Sequence, residues 1–265
     1  MGDVALAPAA EAFDAVASSF DARFGEWRSV AAQRRAVRSA LLDAFPPGAR
    51  VLELGGGTGE DALFLARQGR RVLLTDASPS MVAVANGKLR FQLGSRAVVA
   101  PAERLESIVE EPLDGAFSNF AGLNCVTDLA PVARGLARLV RPGAPVLIVL
   151  FGTLPPGEIV VQLARGSVRG AVRRLARGDV PARLGGREFV VRYHRARDVV
   201  RAFAPWFRPV GRRGIGVFVP PSAAEPWISG RPRLLSVLEA LDRIVGRPLA
   251  ALGDHVLYQF ERSAV

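Results

Sequence analysis

The sequence predicts an α/β fold with a doubly wound, mostly parallel sheet, and three observations support this prediction. Apolar runs at 51–54 and 73–75 have the length and composition of buried strands. A glycine-rich turn follows the first run, and a polar segment after it opens a helical pattern. Further strand patterns then alternate with helical patterns, which is typical of a parallel sheet covered by helices on both faces.

The overall composition fits one large domain, or a core with insertions, of 265 residues. Hydrophobic residues make up 49% of the chain, enough for a core, yet no stretch has the 18 or more apolar residues of a membrane span. The first residues lack the basic and apolar segments of a signal peptide. The chain has a single cysteine, Cys125, which excludes an internal disulfide, so we expect a cytoplasmic protein.

The net charge of +10 is concentrated in one segment. Residues 141–213 hold 15 arginines and only four acidic side chains, a net charge of +11. Residues 1–140 hold 15 basic and 16 acidic side chains, and include Lys88, the only lysine. The basic segment should therefore attract anions or an acidic surface.

The glycine turn after the first predicted strand is the most informative motif. Gly55, Gly57 and Gly59 alternate, which permits positive φ angles and a close approach of a ligand to the backbone. The helix that follows offers unpaired N–H groups at the same place. A dinucleotide fingerprint would need a third glycine at position 60, where Glu60 stands instead. The spacing therefore disfavours a dinucleotide.

The pattern E-x-G-x-G-x-G that begins at Glu53 resembles the first motif of the class I S-adenosylmethionine-dependent methyltransferases. The resemblance covers residues 30–151 and extends to D-x-S-x-x-M, which begins at Asp76. It implies that the glycine loop passes under the methionine part of the cofactor and that Glu53 holds the ammonium group. It also implies that Asp76 accepts hydrogen bonds from the ribose hydroxyls, and that Ala77 and Met81 pack against adenine.

The cofactor implied by this resemblance is S-adenosyl-L-methionine, with S-adenosyl-L-homocysteine as the product. Relatives usually have an aspartate for the adenine amino group where Pro101 stands here, and Glu103 is a candidate substitute. The sequence shows no Cys/His cluster and no carboxylate set with metal-ligand spacing, so we expect no metal. The predicted cofactor-binding residues are Glu53, Gly55, Gly56, Gly57, Thr58, Gly59, Asp76, Ala77, Met81, Ala102, Glu103 and Asn119.

The amino-terminal half has a helical segment before the strands. Residues 9–45 are predicted to form two helices broken near Gly25, and Phe13, Val16, Phe20 and Phe24 should lie on one face. This stripe is either core or, as in similar methyltransferases, a lid over the cofactor. Ser78 should N-cap a helix that begins with Pro79. The remaining predicted elements here are strands at 97–100, 113–120 and 144–151 and a helix at 131–140.

The carboxyl-terminal half has no further motif. Residues 158–175 predict a pair of basic amphipathic helices, interpreted either as a substrate cap with a solvated arginine face or as a surface for an anionic membrane. The later predicted elements are an edge strand or arm at 188–193, a helix at 195–203, strands at 206–219 and 254–262, and between them a helix at 234–245. The organisation is a single domain with a helical lid at 1–45, a cofactor-binding half at 46–151, a basic cap at 152–192 and a C-terminal half at 193–265 with an insertion at 220–253.

The predicted function is methyl transfer to a small, hydrophobic or anionic molecule by in-line displacement. The end of the fourth strand should face the methyl group, and its sequence, 118–121, lacks the [DN]-P-P-[YFW] pattern of base amino-methyltransferases. A nucleic-acid methyltransferase is one alternative, but few aromatic residues lie among the arginines. A non-catalytic cofactor-binding module, or one that contacts a membrane surface through the arginine-rich cap, is the other.

Candidate catalytic and substrate residues follow from this prediction. His194 is the better base candidate of the two histidines, because it lies beside Tyr193 just after the cap, whereas His255 at a strand start is predicted to be structural. Asn124 is predicted to line the substrate pocket or to cap the helix at 131–140. The predicted catalytic residues are His194 and Tyr193, and the predicted substrate residues are Phe20, Phe120, Asn124 and Trp227.

Overall fold

A seven-stranded sheet forms the centre of the molecule, as seen in a computed structural model that describes residues 6–24, 27–108, 110–225 and 227–264. Its strands are β1 (Arg50–Leu54), β2 (Arg71–Asp76), β3 (Arg96–Val99), β4 (Gly115–Ser118), β5 (Pro145–Phe151), β8 (Phe207–Ile215) and β9 (His255–Arg262). The strand order is β3-β2-β1-β4-β5-β9-β8. The first five strands are parallel, and β9 runs antiparallel to both β5 and β8. The predicted doubly wound, mostly parallel sheet is confirmed.

Ten helices of the described residues surround this sheet and a small hairpin. They are α1 (Pro8–Asp14), α2 (Phe20–Phe24), α3 (Arg28–Ala44), α4 (Glu60–Arg67), α5 (Pro79–Leu89), α6 (Ala130–Leu139), α7 (Pro156–Ala164), α8 (Val168–Val172), α9 (Ala196–Phe203) and α10 (Pro232–Val245). One apolar core lies between the sheet and α6 and α9, and a second lies between the sheet and α3, α4 and α5. Within the described ranges, no helix is both long enough and apolar enough to cross a bilayer.

The strand order places a crevice at the carboxyl ends of the parallel strands. It reverses direction between β1 and β4, and open α/β sheets bind ligands outside the carboxyl ends of the strands at such a point. Because β9 is antiparallel to β5, the first residue of β9 lies beside the last residue of β5, and His255 pairs with Phe151. A residue that begins β9 therefore reaches the same edge as residues that end β1, β2 and β4.

The amino-terminal region differs from the two helices that the sequence predicts. The first piece divides into α1, a 3₁₀ turn at Ala17–Ser19 and α2. The serine hydroxyls explain this break, since Ser19 Oγ donates to the carbonyl of Val16 at 3.3 Å and so competes with helical hydrogen bonding. The predicted break at Gly25 lies outside the described residues. Three residues of the predicted stripe do share one face, because Phe13, Val16 and Phe20 pack together against α5, whereas the side chain of Phe24 lies outside the described part of the chain.

A separate two-stranded hairpin follows the cap, formed by β6 (Asp179–Leu184) and β7 (Arg187–Arg192). Of the two alternatives predicted for 188–193, an edge strand or an arm, the structure agrees with the arm, because β7 pairs with β6 and not with the main sheet. Gly185 and Gly186 make the turn with φ of +57° and +80°, the conformation of a type I′ hairpin turn. The tip packs on α1, where Glu11 and Arg187 form a 3.0 Å ion pair.

The remaining boundaries shift for local reasons. The cap is a pair of helices, α7 and α8, and Ser167 separates them because its side chain accepts from the N–H of Gly170 and caps α8. The strand predicted at 206–219 ends at Ile215, since Gly216 turns the chain with a φ of +68°. In the insertion, α10 spans the predicted helix at 234–245 and ends at the same residue, Val245.

Candidate functional site

The glycine turn after β1 adopts the conformation that its sequence predicts. Gly55, Gly57 and Gly59 have φ of +59°, +54° and +79°. Gly56 has no room for a side chain, because a Cβ there would lie 2.5 Å from the side chain of Leu74. A Cβ at Gly57 would instead meet no described atom within 4 Å, so the turn opens into free space at that point.

Asp76 ties this turn to the end of β2. Its two carboxylate oxygens accept from the N–H groups of Gly57 and Ser78, both at 2.9 Å. Burial raises the pKa of Asp76 even though these hydrogen bonds oppose the shift. The pKa of the Cys125 thiol is raised to about 12, first by burial and then by the charges of Asp76 and Glu103. The negative charges of both carboxylates therefore disfavour the thiolate form of Cys125.

Glu53 is a buried carboxylate that lacks a full set of partners. It is 2% exposed, and its Oε2 has no hydrogen-bond partner among the residues that the structure describes. Its pKa lies well above the usual range because of burial and then the charge of Asp61, although Arg34 and Arg38 oppose the shift. A buried carboxylate with a free oxygen beside an open turn is suited to a cationic ligand group.

A buried network connects α3, α4 and the end of β4. Arg38 Nε donates to Asp61 Oδ1 at 2.6 Å, and Asn119 Nδ2 donates to Asp61 Oδ2 at 2.8 Å. Phe120 and Ala121 follow with φ of +48° and +59°, a left-handed conformation that non-glycine residues rarely adopt. Backbone strain of this kind is concentrated at functional sites. The sequence identified Asn119 and Phe120 but gave no sign that Arg38 and Asp61 support them.

The amino-terminal helices are fastened over the glycine turn and α5 by two aspartates. Asp14 accepts from Ser78 Oγ at 2.7 Å and from the N–H and Oγ of Ser80 at 2.8 and 2.9 Å. Asp21 accepts from Thr58 Oγ1 at 2.6 Å and from Lys88 Nζ at 2.5 Å. Phe13 and Phe20 pack on the buried Met81 under these contacts. These helices therefore lie against the glycine turn and the start of α5.

If these aspartates fasten the lid, the double substitution Asp14→Ala and Asp21→Ala should loosen it. We expect faster hydrogen–deuterium exchange in α1 and α2 and about tenfold weaker cofactor binding, a loss of about 1.4 kcal/mol. The effect should be small for five hydrogen bonds because Asp14 and Asp21 are partly exposed and solvent screens their charges. Asp43→Ala, at an exposed position of α3, is the matched control. Equal exchange and affinity in the double variant and the control would contradict a lid.

Aromatic rings gather at the carboxyl ends of β4 and β5. The ring of His255 stacks on Phe151 with centroids 5.0 Å apart and meets the ring of Phe120 edge-on at 5.9 Å. Tyr193 lies 5.9 Å from Phe151 and is buried, which raises the pKa of its hydroxyl. Phe120 thus lies beside His255, and Tyr193 lies beside Phe151, so the stacked rings of His255 and Phe151 connect the two predicted residues.

Charged side chains from the cap, and that of Asp254 just before β9, lie beside this aromatic cluster. Arg174 pairs with Glu158 and donates to Asp254 Oδ1 at 2.7 Å, and its guanidinium lies 4.8 Å from the centre of the Phe151 ring. Burial alone would raise the pKa of Asp254, but His255, Arg174 and a hydrogen bond from Gln33 outweigh it, so the pKa lies well below its usual range. Sequence reasoning missed Arg174, Glu158 and Asp254 and set His255 aside. Asp254 and His255 could have been found by noting that an antiparallel last strand begins at the carboxyl ends of the parallel strands.

Several predicted site residues lie away from this cluster or are committed to backbone groups. His194 Nε2 lies 2.9 Å from the carbonyl oxygen of Val126, and burial lowers its pKa. Asn124 donates to the carbonyl of Arg192 at 2.6 Å and accepts from the N–H of Phe151 at 3.0 Å. The prediction that Asn124 caps the following helix is therefore wrong, because its amide joins β7 to the end of β5.

The other predicted residues have less distinctive surroundings. Trp227 is half exposed in the insertion, with the guanidinium of Arg231 4.5 Å from its ring centre. Ala77 is partly exposed next to Asp76, Ala102 packs against the core beside β3, and Glu103 is exposed. Within the described ranges, no group of three or more His, Cys, Asp or Glu side chains is placed to hold a metal ion.

Comparison with known proteins agrees with this geometry. Residues 51–143 match the family model described as a methyltransferase domain. The chain is 31% identical over 147 residues to a malonyl-[acyl-carrier protein] O-methyltransferase of Serratia marcescens. The aligned region covers 55% of this chain and 54% of the relative. It is also 29% identical over 144 residues to a demethylmenaquinone methyltransferase of Mycobacterium marinum. That aligned region covers 54% of this chain and 58% of the relative. The chain thus spans little more than half the length of these curated relatives.

The fold has a close counterpart among solved structures. A methyltransferase from Streptomyces caelestis superposes with a TM-score of 0.56, and the superposed region covers 88% of this chain and 90% of the methyltransferase chain. Its sequence identity of 17% means that this similarity concerns the fold alone.

Proposed function

We propose that this chain is a class I S-adenosylmethionine-dependent methyltransferase that methylates a small, hydrophobic or anionic molecule, and the match of residues 51–143 to a methyltransferase-domain model supports this. The observation that carries the proposal is the unpartnered Oε2 of buried Glu53 beside the open glycine turn. The two curated relatives are named for different acceptors, so they support methyl transfer without specifying the acceptor.

The residues at the turn fit the implied cofactor. The free oxygen of Glu53 can accept from an ammonium group, which would also relieve the cost of burying this carboxylate. Asp76 lies at the end of β2, where a carboxylate can accept from vicinal hydroxyls while it holds the N–H of Gly57. Phe13 and Phe20 provide an apolar lid that packs on Met81 of α5. S-adenosylmethionine, when bound, supplies an electrophilic methyl group on a sulfonium ion.

The acceptor would bind at the aromatic cluster, beside the strained turn after β4. Phe120, Phe151 and Tyr193 supply apolar ring surface, and Arg174 Nε is a buried donor with no hydrogen-bond partner in the described part of the chain. Rings and a free guanidinium donor together favour an acceptor that is partly apolar and carries an anionic or carbonyl oxygen.

His255 is our candidate for the general base. Its Nδ1 lies 3.4 Å from Oδ2 of Asp254, which stays ionised because its pKa is low. With the ring proton on Nδ1 facing this carboxylate, Nε2 accepts the proton that the acceptor O–H, N–H or C–H loses as the new bond to methyl forms. Asp254 then stabilises the resulting imidazolium. The rings of Phe120 and Phe151 exclude water from the proton transfer.

Thermal unfolding with S-adenosylmethionine, S-adenosylhomocysteine, NAD and NADP tests the cofactor assignment. We expect the melting temperature to rise with the two sulfur ligands alone, because a ligand that binds the native state stabilises it. A screen of acceptors with labelled methyl would follow. Folded protein that shows no shift at millimolar sulfur ligand, or a shift with NAD instead, would overturn the proposal.

A further inference from the structure

The outer side of the cap exposes a group of bulky aliphatic side chains. Val160 and Val168 are 65% and 66% exposed, and the neighbouring α7 and α8 pack against each other. Val160 and Leu163 are three residues apart on α7, and Val168 and Val172 are four apart on α8, so each pair lies on one face of its helix. Single exposed aliphatic residues are normal, but a group of this size on one short segment marks an interaction surface. The outer cap face comprises the exposed residues Leu154, Val160, Leu163, Val168, Val172 and Leu175 together with Arg169 and Arg177. Arg165 and Arg173 border this face, and they are held by the carbonyl oxygen of Ala223 and by Glu158.

The charge of this face is strongly positive. Residues 153–178 include only one acidic side chain, Glu158, which is buried on the inner side and paired with Arg173 and Arg174. Two copies of the outer cap face would therefore repel each other. The charge instead matches an anionic partner.

The inner side of the cap is fixed to the sheet, so the aliphatic residues cannot turn inward. Arg174 donates to the carbonyl oxygen of Asp254 at 2.7 Å and to that of Gly152 at 3.2 Å, and Ala171 is buried beside it. The exposed side chains on α7 and α8 are thus held in one orientation.

We propose that the outer cap face binds an anionic lipid surface. Aliphatic side chains mixed with arginines are the composition of helices that lie in the headgroup region, where the apolar groups enter the acyl boundary and the cations pair with phosphates. An acidic protein would satisfy the arginines but would need its own apolar surface to cover the six aliphatic residues. The binding does not depend on the proposed methyl transfer, so either proposal can fail without the other.

Cosedimentation of the intact chain with lipid vesicles tests this surface. We expect binding to phosphatidylcholine vesicles that contain about one third phosphatidylglycerol, weaker binding as salt increases, and little binding to phosphatidylcholine alone. Arg169→Gln with Arg177→Gln should lower partitioning about thirtyfold, since each arginine near an anionic surface contributes about 1 kcal/mol. Val160→Asp with Val168→Asp should lower it at least as much.

The matched control replaces two exposed apolar residues at the opposite edge of the sheet. Phe91 and Leu93 lie in the loop between α5 and β3 and are 80% and 98% exposed. Phe91→Asp with Leu93→Asp should leave vesicle binding unchanged, and thermal melting would verify that every variant is folded. Equal binding by the cap variants and the wild type, or binding only to a second copy or to an acidic protein, would overturn the proposal.

Discussion

Replacing Glu53 with glutamine is expected to stabilise the ligand-free protein near neutral pH and to weaken S-adenosylmethionine binding about ten- to a hundredfold. The loss of affinity follows from the loss of a charge-assisted hydrogen bond, which contributes roughly 1.5–3 kcal/mol. The gain in stability follows from the removal of a carboxyl that is 2% exposed and lies near Asp61 and Asp76. A gain of about 1 kcal/mol would raise the melting temperature by about 2–4 °C.

The two effects of Glu53 should have opposite pH dependences. The pKa of Glu53 is raised in the folded state, so the folded protein binds this proton more tightly than the unfolded chain does. The contribution to stability is therefore complete below the ordinary value of 4.5 and is lost as pH rises through the raised pKa. A ligand ammonium prefers the ionised carboxylate, so its stabilising effect should grow over the same pH range. Glutamine should remove both trends.

Melting curves of the wild type and Glu53→Gln between about pH 5 and pH 8, with and without the cofactor, would measure both effects. Glu106→Gln is the matched control, because Glu106 is exposed in the turn after β3. If the Glu53 variant binds the cofactor as tightly as this control does, Glu53 does not hold the ammonium group.

The strands and the glycine turn could be predicted because their signals are local. A buried parallel strand is a short apolar run, and a turn with positive φ angles needs glycine at fixed positions, as at Gly55, Gly57 and Gly59. The strand β6 was missed because it contains Pro181 and has no fully buried residue, so its composition does not differ from that of a loop. Its pairing with β7 depends on packing against α1.

The acceptor side of the site could not be predicted because it is built from distant segments. Arg174 and Asp254 are 80 residues apart, and their contact exists only because the cap folds over the edge of the sheet where β9 begins. A buried arginine in a segment with 15 arginines has no distinguishing sequence signal. His194 was favoured for its neighbours in the chain, whereas the side chain of His255 is the one that meets the rings of Phe120 and Phe151.

Replacing His255 with asparagine is expected to lower kcat by about 10²- to 10⁴-fold, the usual contribution of a general base, while cofactor affinity stays within about twofold. The ring contacts of His255 are with Phe120 and Phe151, which follow β4 and end β5, so we expect the cofactor side to be undisturbed. The measurement is steady-state kinetics with the acceptor that the labelled-methyl screen identifies, together with cofactor titration by calorimetry. Because a base acts in the transition state, KM for the acceptor should change little.

His194→Asn is the matched control for this prediction. His194 is equally buried, but its Nε2 faces the carbonyl oxygen of Val126, so its loss should lower the melting temperature and leave kcat within about tenfold of the wild type. Gln33→Leu removes a hydrogen bond of 3.1 Å to Asp254 without changing the histidine, and we expect an intermediate loss of kcat because Asp254 is then less well oriented. A large loss of kcat in His194→Asn with none in His255→Asn would restore His194 as the base and assign the Asp254–His255 pair a structural role.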